Sequence, residues 1–170
     1  TVTATDSATI TSTVSAPAIA VAVEIGTNPE ANKGAVAVTV AISIARNDIR
    51  TDTNAQIKNV PIVKASNNIT VSASQASAID ATSTASAISV SASASGQATA
   101  FSGGGASAVN LIAGDTIAKI ADVGSVEATA GAIAIKTTNS AAITATVAAV
   151  SAAVALSLKS DKMTAGVAIG

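Results

Sequence analysis

The chain has 170 residues, 49% of them hydrophobic and 11% charged, and its nine basic and ten acidic side chains leave a formal charge of −1. It contains no His and no Cys, which removes thiol chemistry, disulfides, Cys/His metal centres and the commonest general base. With so little net charge and Phe101 as the single aromatic residue, there is neither a field to attract nucleic acid nor a platform on which bases stack, so nucleic acid is not an expected partner.

The apolar content is carried by Ala, Val and Ile, which imply thin, closely spaced layers such as stacked sheets or a solenoid. In chain order, Val2, Ile10, Ile19 and Val21 open an alternating pattern. Residues 27–33, Thr-Asn-Pro-Glu-Ala-Asn-Lys, are polar and contain Pro29, so they are expected to form a surface loop. Alternation resumes at Val36, Val38, Val40, Ile42 and Ile44, whose period of two predicts a strand.

From Asn47 onward the chain repeats itself. Ala45-Arg46-Asn47-Asp48-Ile49, followed by Asp52, Ala55, Ile57 and Val60, matches Ala108-Val109-Asn110-Leu111-Ile112, followed by Asp115, Ala118, Ile120 and Val123, at a constant offset (110 − 47 = 63). After one inserted residue the offset becomes 64, pairing Ile69 with Ile133, Val71 with Ile135 and Ile79 with Ile143. The N-terminal positions Val2, Ile10, Ile19 and Val21 match Val71, Ile79, Ile88 and Val90 at an offset of 69. The chain therefore reads as one repetitive segment with approximate modules 1–63, 64–126 and 127–170. Residues 141–158 are Ala-rich, which favours helix, but Thr, Val, Ile and Ser are dense through the same stretch and favour strand.

Asp48, Asp52, Asp115 and Asp122 recur in corresponding parts of the modules beside Arg46, Arg50, Lys58 and Lys119. An active site usually occurs once and a structural position recurs, so these charges read as a solvated face. No catalytic, cofactor-binding or metal-binding residue is assigned and no cofactor is expected; a weak ion site near Asp48 and Asp52 is the nearest alternative. The glycine-rich calcium nonapeptide is missing, since Gly103-Gly104-Gly105 is followed by no Asp until Asp115. Those glycines read as a bend or a close approach of strands. Asn68-Ile69-Thr70 matches a glycosylation sequon, read as chance, and Asn47 and Asn110 are expected to stack their amides between coils.

Residues 81–114 and 137–158 carry no charge, yet their Ser and Thr content and the lack of an aromatic belt argue against membrane insertion. Charged residues crowd between Arg46 and Lys64 and again between Asp115 and Lys136, so a module has a wet sector and a neutral one. Two readings of the neutral sector stand side by side: lateral packing on another copy, or burial of both strand faces within one molecule.

The stretches Ala55-Gln56-Ile57-Lys58-Asn59-Val60 leading to Val63-Lys64-Ala65-Ser66-Asn67-Asn68-Ile69-Thr70-Val71, and Ala118-Lys119-Ile120-Ala121-Asp122-Val123 leading to Val126-Glu127-Ala128-Thr129-Ala130-Gly131-Ala132-Ile133, resemble the coil repeats of giant bacterial surface adhesins of the filamentous-hemagglutinin type. The resemblance implies an all-β parallel β-helix, or β-solenoid, in which each module of about 63 residues forms roughly three coils of about 21. The runs 81–95 and 141–158 depart from that family's pattern, being longer than one face of such a coil requires. The expected function is that of a structural stalk or fibre segment of an extracellular, cell-surface adhesin or self-associating filament, excised from a longer chain and lacking catalysis. Its expected partners are neighbouring repeats, further copies of itself and an unidentified host or surface ligand. The alternative is a face that binds ice or polysaccharide: Thr1-Val2-Thr3 and Thr9-Ile10-Thr11 fit a Thr-x-Thr row, while Ser72, Ser74 and Ala142 break it.

Overall fold

A computed structural model describes residues 1–25, 34–158 and 163–170; the loop expected at 27–33 lies outside the described residues. Eleven strands run in chain order: β1 (Val2–Asp6), β2 (Thr9–Glu24), β3 (Ala35–Arg50), β4 (Thr53–Ala65), β5 (Ile69–Gln75), β6 (Ala78–Ser93), β7 (Ala98–Ala113), β8 (Thr116–Ala128), β9 (Ile133–Asn139), β10 (Ala142–Ser157) and β11 (Thr164–Ile169). The Ala-rich run after residue 141 is strand β10, as its β-branched residues indicate.

Strands pair with their equivalents one module away, giving sheets ordered β1-β5-β9, β10-β6-β2, β11-β7-β3 and β4-β8. Pairing is parallel, and the ladder follows the repeat: Val2 lies beside Val71, Ile69 beside Ile133 and Thr53 beside Thr116. The fold is the expected parallel β-solenoid. The coil count is corrected, because β1 to β4 make one turn and β5 to β8 the next, so a module is one wide turn and not three coils of about 21 residues. The reason is strand length. β2, β3, β6, β7 and β10 each run 16 residues, about 50 Å at ~3.3 Å per residue.

Backbone hydrogen bonding continues at the corners, where Thr53 N–H donates to the Asp115 carbonyl at 2.8 Å and Ala78 N–H to that of Ala8 at 2.9 Å. Asn59 and Asp122 take left-handed conformations, φ 55° and 54°, at matching points of β4 and β8. Asn and Asp tolerate that region better than other side chains. Gly114 adopts φ 145°, and a Cβ there would stand 1.9 Å from the Thr51 carbonyl oxygen, so no other residue fits this corner.

The chain forms two compact units. The first comprises residues 1–12, 46–81 and 110–145. Its core is conventional: Val71, fully buried, and Ala73 pack with Ala55 and with the partly buried Val2, Ile57 and Ile120. Such burial contributes about 1.5–3 kcal/mol for each large aliphatic side chain.

The second unit comprises residues 13–45, 82–109 and 146–170, and its interior is built differently. Ala41, Ala85 and Ala87 form the buried cluster, joined by Ala18 and Ala106, while Ser43, Ser83, Ser89 and Ser91 are buried around it. Opposing strands approach within one small side chain. Ser43 Oγ reaches across to the Val14 carbonyl at 3.2 Å, Ser43 and Ser83 hydroxyls meet at 2.8 Å, and Ser83 Oγ donates to the Ser43 carbonyl at 3.1 Å. The gap is narrow, and on β3 alternation turns Ala and Ser into it and sends the Val and Ile side chains outward.

Candidate interaction surface

The recurrent charges lie in the first unit and do not converge. The Arg50 guanidinium donates to both carboxylate oxygens of its strand neighbour Asp48, at 3.0 and 3.1 Å. That hydrogen bond, more than the accompanying charge of Arg50 and Arg46, holds the Asp48 carboxyl below its ordinary pKa and raises Arg50. Asp52 Oδ1 accepts the Asp115 backbone N–H at 3.0 Å, which stitches one turn to the next. Asp122 occupies the left-handed position of β8. Lys58 lies beside Ala121 in the ladder and Lys119 beside Gln56. Among the described residues no three acidic side chains gather as a cation site requires. One charge pair joins equivalent positions of adjacent turns, Lys64 Nζ to Glu127 at 2.9 Å, and both partners are well exposed.

The stacked amides expected at Asn47 and Asn110 are present: Asn47 Nδ2 donates to Asn110 Oδ1 at 2.7 Å and to Ser12 Oγ at 3.0 Å. A second polar ladder was not anticipated from sequence. Asp6, Gln75 and Asn139 are register partners, and the fully buried Gln75 donates to Ser77 Oγ at 3.2 Å while accepting from Thr116 Oγ1 at 2.8 Å. Ser77 in turn donates to Asp6 at 2.7 Å. The signal was available as a polar residue at an inward position of the alternation after Val71 and Ala73. The threonine row does not persist: Thr3 is followed in the stack by Ser72 and then Lys136.

Among the described residues, the second unit carries a row of exposed branched side chains. On β3, Val36, Val38, Val40, Ile42 and Ile44 all point outward and are 60–66% exposed, while the alternate Ala35, Ala37, Ala41 and Ala45 are buried. Beside them in the sheet stands Phe101, 43% exposed, with Val167 as its partner on β11. On the β2-β6-β10 side, Val23, Ile25, Leu156 and Leu158 wall an apolar cleft of about 210 Å³ whose floor is Ala92 and Ala94. Single exposed apolar residues are ordinary on a protein surface, but these five form one contiguous row. Of the two readings of the neutral sector, the inward set of small side chains is consumed within the unit, and the outward set is left uncovered.

No protein-family model matches the sequence, and no curated protein or solved structure matches it significantly.

Proposed function

We propose that this chain is a structural segment of an extracellular bacterial surface adhesin or surface filament, acting through the shape and extent of its sheets and not through catalysis. The observation that carries the reading is the in-register ladder, in which each strand lies on its own equivalent one module away. Such a fold extends by adding modules, and every addition renews the same backbone hydrogen bonds and the same side-chain stacks.

The wide turn sharpens that reading. A module of about 63 residues adds a single layer of ~4.8 Å, where three short coils would add ~14 Å. As a spacer this is inefficient, but each complete layer contributes two 16-residue strands of side wall. The geometry favours a segment that displays broad faces over one that merely lengthens a stalk. The adhesin assignment draws further support from the strand, corner and strand sequence of β4 to β5 and β8 to β9, which is where the resemblance to hemagglutinin-type repeats lies.

Immunogold labelling of intact and sectioned cells with antibodies raised against this segment tests the proposal. Gold on the outer surface of intact cells is the expected result; gold confined to the cytoplasm of sections overturns it.

A further inference from the structure

We infer that the outward face of β3, β7 and β11 in the second unit is a self-docking surface, covered by the same face of a second copy of this chain. The inference rests on the structural reading above for its biological setting and on three observations of its own.

The first is charge. The parts of this face in the second unit, residues 35–45, 98–109 and 164–169, contain no ionisable side chain. Nothing here selects a charged partner, and an apolar, neutral partner is the complement.

The second is a pair of glycines that internal packing leaves unexplained. Gly104 points inward, and a Cβ on it would lie 3.2 Å from the Val150 carbonyl oxygen, so close approach accounts for it. Gly103 and Gly105 point outward like Phe101. A Cβ on Gly105 meets nothing within 4 Å, and one on Gly103 meets only the Ile169 carbonyl at 4.0 Å. Neither has a positive φ, yet glycine within a strand costs about 0.5–1 kcal/mol relative to Ala. The result is a trench beside Phe101, bordered by Ile169 on β11 and, at the 63-residue offset that joins Asn47 to Asn110, by Val40 and Ile42 on β3.

The third is self-complementarity. A protruding ring at Phe101 and a trench at Gly103 and Gly105 occupy one strand, so a twofold axis at Gly103 seats each Phe101 over its mate's Gly105. That is the condition for an isologous interface, which a second copy satisfies without any further design. Nine residues of strand across three layers give a footprint of roughly 400 Å² per copy. A stable pair needs about 800 Å² per partner, so this segment associates reversibly, and each further layer adds roughly 130 Å².

Sedimentation equilibrium of the chain from ~10 μM to ~1 mM tests this. The weight-average mass is expected to climb toward that of a dimer at the upper end, and to do so equally at ~0.15 M and ~1 M salt. Gly105→Val, which has room for its side chain, is expected to unfold no more easily than the parent and to dimerise at least tenfold more weakly. Phe101→Ala is expected to weaken dimerisation similarly, and Ile88→Ser on the opposite sheet to leave it unchanged. A monomer at ~1 mM, or dimerisation indifferent to both Gly105→Val and Phe101→Ala, overturns the docking face and leaves surface labelling of cells untouched. Flotation with phosphatidylcholine vesicles in place of self-association overturns it in favour of a lipid surface.

Discussion

Placing Val at Ala87 tests the inverted arrangement of the second unit, in which small side chains lie inside and branched ones outside. Ala87 is fully buried against Ala41 and Ala85 in a gap narrow enough for serine hydroxyls to bond across it. Two added methyl groups overpack the gap at a cost of about 1–3 kcal/mol. If the sheets part to admit them, the bonds of Ser43 and Ser83 weaken as well, each worth about 0.5–1.5 kcal/mol. The combined loss is about 2–6 kcal/mol, which at a urea slope of about 2 kcal/mol/M moves the unfolding midpoint down by about 1–3 M. The companion variant Val40→Ala removes methyls from a side chain that is 66% exposed, so only a loss of strand preference, under about 1 kcal/mol, is expected. Far-ultraviolet circular dichroism at micromolar concentration is the assay, because the chain has no Trp or Tyr to report by fluorescence. If Val40→Ala costs more than Ala87→Val, branched side chains fill the interior and the arrangement described above is wrong.

Four further outcomes are expected. Asn47→Ala breaks the amide stack with Asn110 and removes the donor to the half-buried Asn110 Oδ1 and Ser12 Oγ, so it should lower stability by about 1–3 kcal/mol in the same urea assay. Ser91→Ala removes a buried hydroxyl that has no hydrogen-bond partner among the described residues and should be neutral or stabilising; a loss above about 1 kcal/mol would show that the hydroxyl is bonded. Gly114→Ala forces a Cβ against the Thr51 carbonyl and should cost more than about 3 kcal/mol or prevent folding, seen as loss of the strand dichroism. In an NMR titration the Asp48 carboxyl should titrate higher in Arg50→Ala than in the parent. Because its folded pKa is depressed, the stabilisation it confers is present above the ordinary carboxylate value of about 4 and disappears as pH falls through the folded value.

Much of the ladder was legible in the sequence because like stacks on like in a parallel solenoid. A residue suited to one station suits the same station a layer away, so the offsets of 63, 64 and 69 seen in Asn47 and Asn110, Ile69 and Ile133, and Val2 and Val71 reappear as neighbours in space. The number of coils per module was not legible. Periodicity marks strands, but the corner between β6 and β7 and a shorter coil of the hemagglutinin kind use the same turn residues. The length of runs such as 81–95 was the one indication that a face extends much further.

The orientation of β3 was hidden for a different reason. Its alternation of Val and Ile with Ala, Thr and Ser establishes a strand, yet hydropathy alone would bury the branched set, and only the distance between opposing sheets reverses that order. The surface at Phe101, Gly103 and Gly105 depends on the same reversal, since those residues acquire a role only once they are known to face outward. The aspartates were read as a solvated set, and their individual tasks, an ion pair at Asp48, a backbone acceptor at Asp52 and a left-handed position at Asp122, depend on local backbone geometry that spacing does not encode.

The in-register wide turn is tested most directly by nuclear Overhauser contacts between backbone protons of neighbouring strands. Contacts linking Ala73 to both Ala4 and Thr137, and Thr53 to Thr116, are the expected result. Contacts linking residues about 21 apart would show three short coils in each module and contradict it.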